Sequence, residues 1–480
     1  MINGRLIGQV LGLILCALSA AMLVPAMIDA SVGHADWQIF LVSSVIVGYL
    51  GASLSFATRY EGRRNMTIRD AFLITASCWI VIPAFAAIPF IGRGYSVTDG
   101  YFEAMSGLTT TGSTIMSGLD DMPPGVLVWR AMLQWIGGVG IIVMAMVMLP
   151  MLRIGGMQLF LTESSDKGAK VVAQSFALVV RLMLVYFGMT FACAGLYYAF
   201  GMSGFDAICH ALTTLSTGGF STHDSSFLYF KSVPLDWVAV IFMLAGSLPF
   251  TGYVRVLGGD PMAMWRLPEV RGLVMLLAAV SIVMAVWLSF HLNVSFVAAL
   301  RFTAFNVVSV VSTTGFMDTD YLGWGPQVFG VFLVLTFLGG CTGSTAGGMK
   351  MLRLQVLRLM LNAQVHRLIS PHRVVRRTYA GRVISEEVLQ SVMAFLAAYL
   401  GATALLTIAV SALGIDLVTA LTAVVTAIGN VGPGLGDIIG PTGNFAAMPN
   451  AAKWLLALAM MLGRLELFTI LVLLVPAFWR

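Results

Sequence analysis

Four short runs of sequence decide the fold: Thr109-Thr110-Thr111-Gly112-Ser113, Leu215-Ser216-Thr217-Gly218-Gly219-Phe220, Ser312-Thr313-Thr314-Gly315-Phe316 and Gly429-Asn430-Val431-Gly432-Pro433. The first three share a hydroxyl residue, then Thr, then Gly, whereas the fourth keeps the Gly and has Asn and Val before it. Each run ends an apolar segment that is too short to cross a membrane. These segments cover about residues 99–111, 206–217, 296–313 and 416–429.

The composition indicates a membrane protein. Of 480 residues, 59% are hydrophobic and only 10% are charged, whereas ordinary globular chains carry about 25% charged residues. Too few polar side chains are present to cover a soluble surface, which excludes disordered chains, secreted disulfide scaffolds and cytosolic enzymes. The five cysteines are scattered without a paired motif, so neither a disulfide framework nor a metal site is expected.

Ten segments are long and apolar enough to span a bilayer. They cover about residues 6–27, 37–57, 70–91, 126–150, 174–200, 236–257, 272–291, 326–349, 387–412 and 452–476. If both termini are cytoplasmic and the short segments enter from outside, most of the 27 lysines and arginines lie on the cytoplasmic side. The outer side then holds only Arg93, Arg130, Lys231, Arg301 and Lys453. The net charge of +5 therefore indicates cytoplasmic loops, and no nucleic-acid partner is expected.

The four runs belong to four copies of one unit, which consists of a span, a short helix, a Gly run and a second span. We expect an all-α polytopic membrane protein whose four units surround a central pore with pseudo-fourfold symmetry, preceded by two extra N-terminal spans. The predicted division is residues 1–69 for the extra spans and a cytoplasmic loop, then 70–173, 174–271, 272–385 and 386–480 for the repeats.

Backbone carbonyls in a re-entrant loop lack helical partners, which is costly in lipid, but carbonyls that line a pore can bind a dehydrated cation. Glycine allows the positive φ and close approach that such a loop needs, and each short helix directs its negative C-terminal end toward the cation. An ordinary helix C-cap is the alternative for any single run, but it does not explain four runs with matching flanks. The expected filter residues are Thr110, Thr111, Gly112, Ser216, Thr217, Gly218, Thr313, Thr314, Gly315, Asn430, Val431 and Gly432.

Over essentially its whole length the sequence resembles the TrkH family of potassium-uptake proteins, part of the wider Trk/Ktr/HKT superfamily. The resemblance rests on residues 102–114, 216–224, 312–316 and 430–436. It implies potassium uptake across the bacterial inner membrane by a homodimer with one pore in each chain. It also implies a cytosolic ring similar to TrkA, which would bind the regulating nucleotide. The filter glycines that it implies are Gly112, Gly218, Gly315 and Gly432.

The eighth predicted span is interrupted by a Gly-rich stretch at residues 338–348, and each glycine costs a helix up to about 1 kcal/mol relative to Ala. We expect a mobile loop beneath the filter, which matches the gating loop of the resembled family. A close-packed interface between small residues is the alternative. The expected gate glycines are Gly339, Gly340, Gly343, Gly347 and Gly348.

Arg464 lies in the last predicted span, and a charge within a membrane indicates function. We expect it to face the pore, to hydrogen-bond the Gly-rich stretch and to oppose cations until the gate opens, as the family resemblance also implies. The alternative is an ion pair with a carboxylate on another span. The basic stretch at residues 353–382 is the best candidate for docking the cytosolic partner.

Other polar residues have ordinary interpretations. Asp99, Asp206 and Asp416 begin the short segments and are expected to cap helices, and Glu103 is expected to support the filter from behind. His210 and His223 flank the second Gly run and are expected to be packing residues with a polar handle, and a coupling-proton site is the alternative for each.

Two alternative functions remain to be weighed. Residues 434–437 spell the Gly-x-Gly-Asp of an intramembrane protease, but that chemistry needs a second aspartate in a Tyr-Asp pair, which the sequence lacks, so no enzyme is expected. Potassium symport coupled to protons or sodium stays open beside a channel-like path, although paired charges at the midplane are few. The strictness of potassium selectivity and the regulating nucleotide are also left open.

Overall fold

The computed structural model describes residues 3–59, 67–144, 169–371 and 376–480, with the backbone alone at 169–176 and 382. Within these residues the fold is almost entirely helical, which confirms the all-α polytopic class. One two-residue hairpin pairs Thr378–Tyr379 with Arg382–Val383. Four predicted features lie wholly or partly outside the described residues: residues 60–66 of the first cytoplasmic loop, the end of the fourth span beyond Met144, the cytoplasmic loop that follows it, and residues 372–375 of the basic stretch.

Seven helices of the described part are long and apolar enough to cross a membrane. They are Gly4–Val32, Trp37–Ala57, Ile68–Gly92, Pro124–Val143, Ala177–Ala199, Pro268–Leu292 and Glu386–Ser411. The first two are the predicted extra spans, and they pack closely because small residues face each other. A Cβ on Gly12 would lie 2.7 Å from the carbonyl oxygen of Gly51, and such close backbone approach is typical of helix pairs in membranes.

The four short segments form the four short helices predicted between the spans. They are Val97–Leu108, Gly204–Leu215, Phe296–Val311 and Leu417–Gly429. Asp416 caps the fourth helix as expected, because its carboxylate accepts the Thr419 amide. The prediction that Asp99 and Asp206 are N-caps is wrong: Ser96 and Ser203 accept the first free amides instead. A serine hydroxyl at the N-cap accepts this amide as a carboxylate would, and Asp99 and Asp206 lie in the first turn of their helices.

Three predicted spans are broken, although the sequence indicated a break only in the eighth. The sixth consists of Val233–Gly246 and Phe250–Leu257, bent by 95°, and the tenth of Asn450–Arg464 and Phe468–Leu474, bent by 105°. In the eighth, helix Pro326–Phe337 ends before the Gly-rich stretch. The predicted spans at 236–257 and 452–476 are therefore bent helix pairs, and the sequence did not indicate these two breaks.

Each additional break has a local cause. Pro249 begins the second half of the sixth span, and proline cannot continue the helical hydrogen bonds of the first half. In the tenth span, Glu466 and Leu467 have positive φ values of 56° and 42°, which no α-helix allows. The Gly-rich stretch packs against the first break, since the Cys341 amide donates to the Ser247 carbonyl at 2.9 Å.

The remaining described helices are short or lie at the end of the eighth span. Helix Met351–Ile369 follows the Gly-rich stretch and carries part of the predicted basic segment. Four-residue helices occur at Ala263–Arg266 and Pro476–Trp479. The hydrophobic core forms two main clusters, one around the first and fourth repeats and one around the second and third. The first and fourth short helices contribute residues to one cluster, and the second and third contribute to the other.

Candidate functional site

Each short helix ends in the same unusual backbone conformation. A non-glycine residue with φ between 52° and 59° follows each helix: Thr110, Thr217, Thr313 and Asn430. A glycine with positive φ comes two residues later in each case: Gly112, Gly219, Gly315 and Gly432. Threonine in this region is strained, and such strain persists only where the surrounding structure imposes it. We call residues 110–112, 217–219, 313–315 and 430–432 the glycine loops.

The structure corrects the expected register of the second glycine loop by one residue. The Thr111 amide donates to the Ser106 carbonyl, five residues back, and the Gly218 amide makes the equivalent bond to the Thr213 carbonyl. Gly218 therefore occupies the position of Thr111, and Gly219 occupies the position of the other three glycines. Ser216 is the C-cap of its helix. Two adjacent glycines cannot be told apart by composition, which explains the error.

The glycine loops close into a ring in chain order. Each loop glycine lies against a backbone carbonyl of the next repeat, so that an added Cβ would collide with it. The pairs are Gly112 with Gly218, Gly219 with Thr314, Gly315 with Val431, and Gly432 with Thr111. The Ser113 hydroxyl also donates to the Gly432 carbonyl at 2.7 Å, which joins the first repeat to the last. This ring is the predicted pseudo-fourfold arrangement.

The Gly-rich stretch, residues 338–348, lies against the glycine loops and is non-helical throughout. The Thr345 hydroxyl donates to the Leu215 carbonyl at 3.0 Å, and the Gly347 amide donates to the Thr313 hydroxyl at 2.7 Å. Gly343 has a φ of 79°. The other four predicted gate glycines, Gly339, Gly340, Gly347 and Gly348, each pack where a Cβ would collide with neighbouring backbone or side-chain atoms.

Arg464 joins the Gly-rich stretch to the first glycine loop. It is the last residue of its helix and is only 5% exposed. Its Nη2 donates to the Thr110 hydroxyl and to the Thr345 carbonyl, both at 2.7 Å. The predicted hydrogen bond to the Gly-rich stretch is therefore present. Among the described residues, no carboxylate lies within ion-pair distance of Arg464, so the alternative of a structural ion pair is not seen.

Sequence reasoning missed a buried ion pair beside Arg464. Glu466 pairs with Arg353, whose guanidinium also lies 3.7 Å from the centre of the Phe395 ring. Lys350, three residues before Arg353, donates from Nζ to the Ala346 carbonyl in the Gly-rich stretch. Glu466 lies only two residues after Arg464, and a second charge so near it in an apolar segment was the signal that Glu466 has a partner elsewhere.

Helix Pro124–Val143 holds the first two glycine loops from behind. Arg130, expected outside the membrane, is buried in this helix and donates from Nε to Glu103 at 2.8 Å and from Nη1 to the Ser221 carbonyl at 3.1 Å. Gln134, one turn later, donates to the Gly218 carbonyl at 2.6 Å. Sequence reasoning missed the roles of Arg130 and Gln134. Two polar residues four apart in an apolar span mark one helix face and were the available signal.

Beyond the ring, His223 connects the loops that follow the first two glycine loops. Its imidazole bonds to Asp120 and lies 3.5 Å from Asp206, and its ring stacks on Tyr229 with centroids 3.5 Å apart. Although partial burial favours the neutral imidazole, the carboxylates of Asp206 and Asp120 raise the pKa of His223 above its usual value of about 6.5.

We expect the stabilisation from His223 to fall as the pH rises. Because its folded-state pKa is raised, this stabilisation is complete below the unfolded pKa and is lost as the pH rises through the folded pKa. The measurement is the Tm of the purified protein and of His223→Gln from acid to alkaline pH. The difference in Tm should be largest at acid pH. A difference that does not change with pH would contradict the assignment.

The fold and the ring define a class: a polytopic membrane protein whose four repeats enclose a central pore with re-entrant glycine loops. The sequence profile of the TrkH family, described as a cation transport protein, matches residues 37–480. The chain belongs to the TrkH family. This membership confirms the resemblance seen in the sequence and, because the family is one of transport proteins, also confirms that the chain is not an enzyme.

Individual relatives match nearly end to end. The chain is 41% identical to the Trk system potassium uptake protein TrkI of Halomonas elongata, covering 98% of this chain and 96% of that protein. It is 37% identical to the Trk system potassium uptake protein TrkH of Escherichia coli K12, with 99% of each covered. The crystal structure of the potassium transporter TrkH from Vibrio parahaemolyticus superposes with a TM-score of 0.91, at 34% identity over 100% of both chains.

Proposed function

We propose that this chain carries potassium ions into the cell through the ring of glycine loops. The observation that supports this most directly is the closure of the four loops in chain order, with a carbonyl of each loop against a glycine of its neighbour. Relatives named as potassium uptake proteins support the choice of ion. Potassium is the transported substrate in this proposal. The filter residues are the four glycine loops, so Gly219 joins the predicted set and Ser216 leaves it.

The chemistry of the ring suits a partly dehydrated cation. Carbonyl oxygens replace the water around the ion, and the C-terminal ends of four short helices add negative potential at the centre. Each loop has one glycine at the common position, so the ring has fewer defined carbonyl layers than the filter of a dedicated potassium channel. We therefore expect potassium and rubidium to pass and sodium to be partly excluded.

We propose that Arg464 and the Gly-rich stretch form the gate. The guanidinium is bonded on one side to the filter residue Thr110 and on the other to Thr345. Two unit charges about 4 Å apart repel by about 4 kcal/mol at the effective dielectric of about 20 typical of proteins. A potassium ion that leaves the filter would meet this repulsion. Opening then requires the Gly-rich stretch and Arg464 to move together.

The start of helix Met351–Ile369 is attached to both parts of this gate. Lys350, its N-cap residue, bonds to the Ala346 carbonyl in the Gly-rich stretch. Arg353, in its first turn, pairs with Glu466 in the break that follows Arg464. Movement of this one helix would therefore displace the Gly-rich stretch and the Arg464 backbone at once. This supports a cytosolic partner that acts on the gate through the basic helix.

Glu466→Gln is expected to lower the Tm and to raise the basal flux. The substitution leaves the Arg353 charge buried without its partner, and breaking a buried pair costs about 3–5 kcal/mol. The matched control is Asp260→Asn, which breaks an exposed pair with Arg266, and exposed pairs contribute only about 0–1 kcal/mol. Thermal unfolding and rubidium efflux from proteoliposomes measure the two effects. An unchanged efflux with a lowered Tm would show that the pair is structural only.

Further parts of the proposal follow from the family resemblance. We propose a homodimer in the bacterial inner membrane, with both termini cytoplasmic and the repeats divided at residues 70, 174, 272 and 386. A nucleotide-binding ring similar to TrkA would dock on the basic stretch at residues 353–382, and nucleotide would act only through that partner. Within this stretch, Arg377 is bonded to Glu386 of the next span, so docking there would also reach the fourth repeat.

The proposed function is tested by potassium-dependent rubidium uptake into proteoliposomes that contain the purified chain. Uptake that follows the potassium gradient, and that sodium competes for only weakly, is the expected result. Uptake that requires an imposed proton or sodium gradient would instead indicate symport. Equal uptake of sodium and rubidium would contradict a selective filter, and no uptake of either ion by a folded protein would contradict the function.

A further inference from the structure

The residues with left-handed φ at the start of each glycine loop give the four repeats a common register, and we call them the left-handed residues: Thr110, Thr217, Thr313 and Asn430. One position in that register has an unexpected pattern. The seventh residue before each left-handed residue lies within the short helix. It is Glu103, His210, Asn306 and Ala423 in the four repeats. All four side chains are fully buried. Three of them are polar, and a buried polar side chain is costly unless it is hydrogen-bonded.

In the first repeat, Glu103 forms hydrogen bonds with the segment that follows the glycine loop, which we call the outgoing segment. Its carboxylate accepts the Thr114 hydroxyl at 2.9 Å and the Ile115 amide at 3.0 Å. These two residues lie four and five positions after the left-handed Thr110. Arg130 completes the set at 2.8 Å and so keeps the charge of Glu103 paired.

In the second repeat, His210 makes the equivalent contact. Its Nδ1 lies 2.9 Å from the Asp206 carbonyl, which can only accept, so this nitrogen carries the proton. Nε2 is then free to accept the Ser221 hydroxyl at 3.0 Å. Ser221 lies four positions after the left-handed Thr217, as Thr114 does after Thr110.

In the third repeat, Asn306 bonds to Asp318 and Thr319. Its Nδ2 donates to the Asp318 carboxylate at 2.6 Å and to the Thr319 hydroxyl at 3.1 Å. Asp318 lies five positions after the left-handed Thr313, which is the position of Ile115 in the first repeat. Asp318 is only 4% exposed, so this contact is also shielded from water.

The fourth repeat lacks such a side chain, since Ala423 cannot form a hydrogen bond through its methyl group. Its loop is held instead through backbone carbonyls. Thr422 donates to the Leu435 carbonyl and Thr426 donates to the Pro433 carbonyl, both at 2.9 Å. In every repeat the outgoing segment is therefore hydrogen-bonded to the short helix of the same repeat, and in three repeats the bond comes from one equivalent position.

We propose that Glu103, His210 and Asn306 are positioning residues that set the selectivity of the carbonyl ring. A glycine loop whose outgoing segment is held against its short helix cannot contract around a smaller ion, so sodium is bound poorly. Without the hydrogen bond the loop can adjust, and the ring loses discrimination. The inference rests on the proposed function, because it assumes that the glycine loops are the filter.

The test uses the second repeat, where the contact is a single neutral hydrogen bond. His210→Leu removes the bond while keeping most of the volume, and His210→Gln retains an acceptor. Ser221→Ala removes the other partner, together with the bond that the Ser221 hydroxyl oxygen accepts from the His223 amide. Cys209→Ala is the matched control, since Cys209 is buried in the same helix and packs against Val128 and Ala131. The measurement is the ratio of rubidium to sodium uptake in proteoliposomes.

Loss of this one buried hydrogen bond is expected to lower the rubidium-to-sodium ratio about fivefold. His210→Leu should give this loss and His210→Gln a partial recovery. Ser221→Ala should give at least the same loss, because it also removes the bond from the His223 amide, and the double variant should lose no more than Ser221→Ala. The inference is overturned if the single variants keep the ratio, or if uptake of both ions falls equally. If His210→Leu does not fold, Ser221→Ala alone decides. An unchanged ratio in Gly112→Ser would instead refute the filter, so the two failures can be distinguished.

Discussion

Gly112→Ser is expected to lower selective rubidium uptake by at least about tenfold. A Cβ at this position would collide with the Gly218 carbonyl of the next repeat, and Gly112 has a φ of 86°. The left-handed conformation alone costs a residue other than glycine about 1–2 kcal/mol. Because the ring is closed, the Gly218 carbonyl cannot retreat without displacing its bond to Gln134. Uptake of rubidium and sodium into proteoliposomes measures the effect.

Gly118→Ser is the matched control for this experiment. Gly118 also has positive φ, 72°, but an added Cβ would meet no atom within 4 Å. The two variants therefore share the conformational cost and differ in the collision with the ring. Selective uptake should survive in Gly118→Ser. If Gly112→Ser conducts as the wild type does, the glycine loops are not the filter.

Arg464→Ala is expected to raise the basal flux by at least about tenfold, because the repulsion of about 4 kcal/mol near this charge is removed. The guanidinium also ties Thr345 to Thr110, so its loss frees the Gly-rich stretch from the first glycine loop. The measurement is rubidium efflux without a cytosolic partner, together with the rubidium-to-sodium ratio. The ratio should stay near that of the wild type, since the glycine loops are intact.

Arg464→Lys separates the two contributions of Arg464. Lysine keeps the positive charge but lacks the planar group that reaches Thr110 and Thr345 together. A low flux in Arg464→Lys would assign the barrier to charge, and a high flux would assign it to the hydrogen bonds. A basal flux in Arg464→Ala that is no higher than wild type, in a protein with normal Tm, would refute the gate.

Much of the architecture was predictable because it depends on the length of apolar segments. The four short helices were predicted to within a few residues, since 12 to 16 apolar residues cannot cross a bilayer. Four such helices, each followed by a glycine, predicted the ring before any contact was known. The breaks after Gly246 and Arg464 were not predictable in the same way, because hydropathy averages over a helix and the loop that follows it.

The candidate site shows the same limit at finer scale. The glycine pair at 218 and 219 left two possible registers, and only the backbone hydrogen bonds distinguished them. Glu103 was expected behind the filter, but the equivalence of His210 and Asn306 to it appeared only once the left-handed residues aligned the repeats. The three side chains differ in chemistry, so no repeat in the sequence could have revealed a shared role.

By itself, the sequence determined the membrane location, the fourfold repeat and the short helices that end in glycine, because each depends on composition or spacing along the chain. The tertiary structure alone decided which charges are partners. Glu466 pairs with Arg353, 113 residues away in the chain, and Arg464 bonds to Thr110, 354 residues away. Such choices depend on which helices become neighbours around the ring. In a low-dielectric interior a buried charge or donor needs whichever partner that packing brings near it.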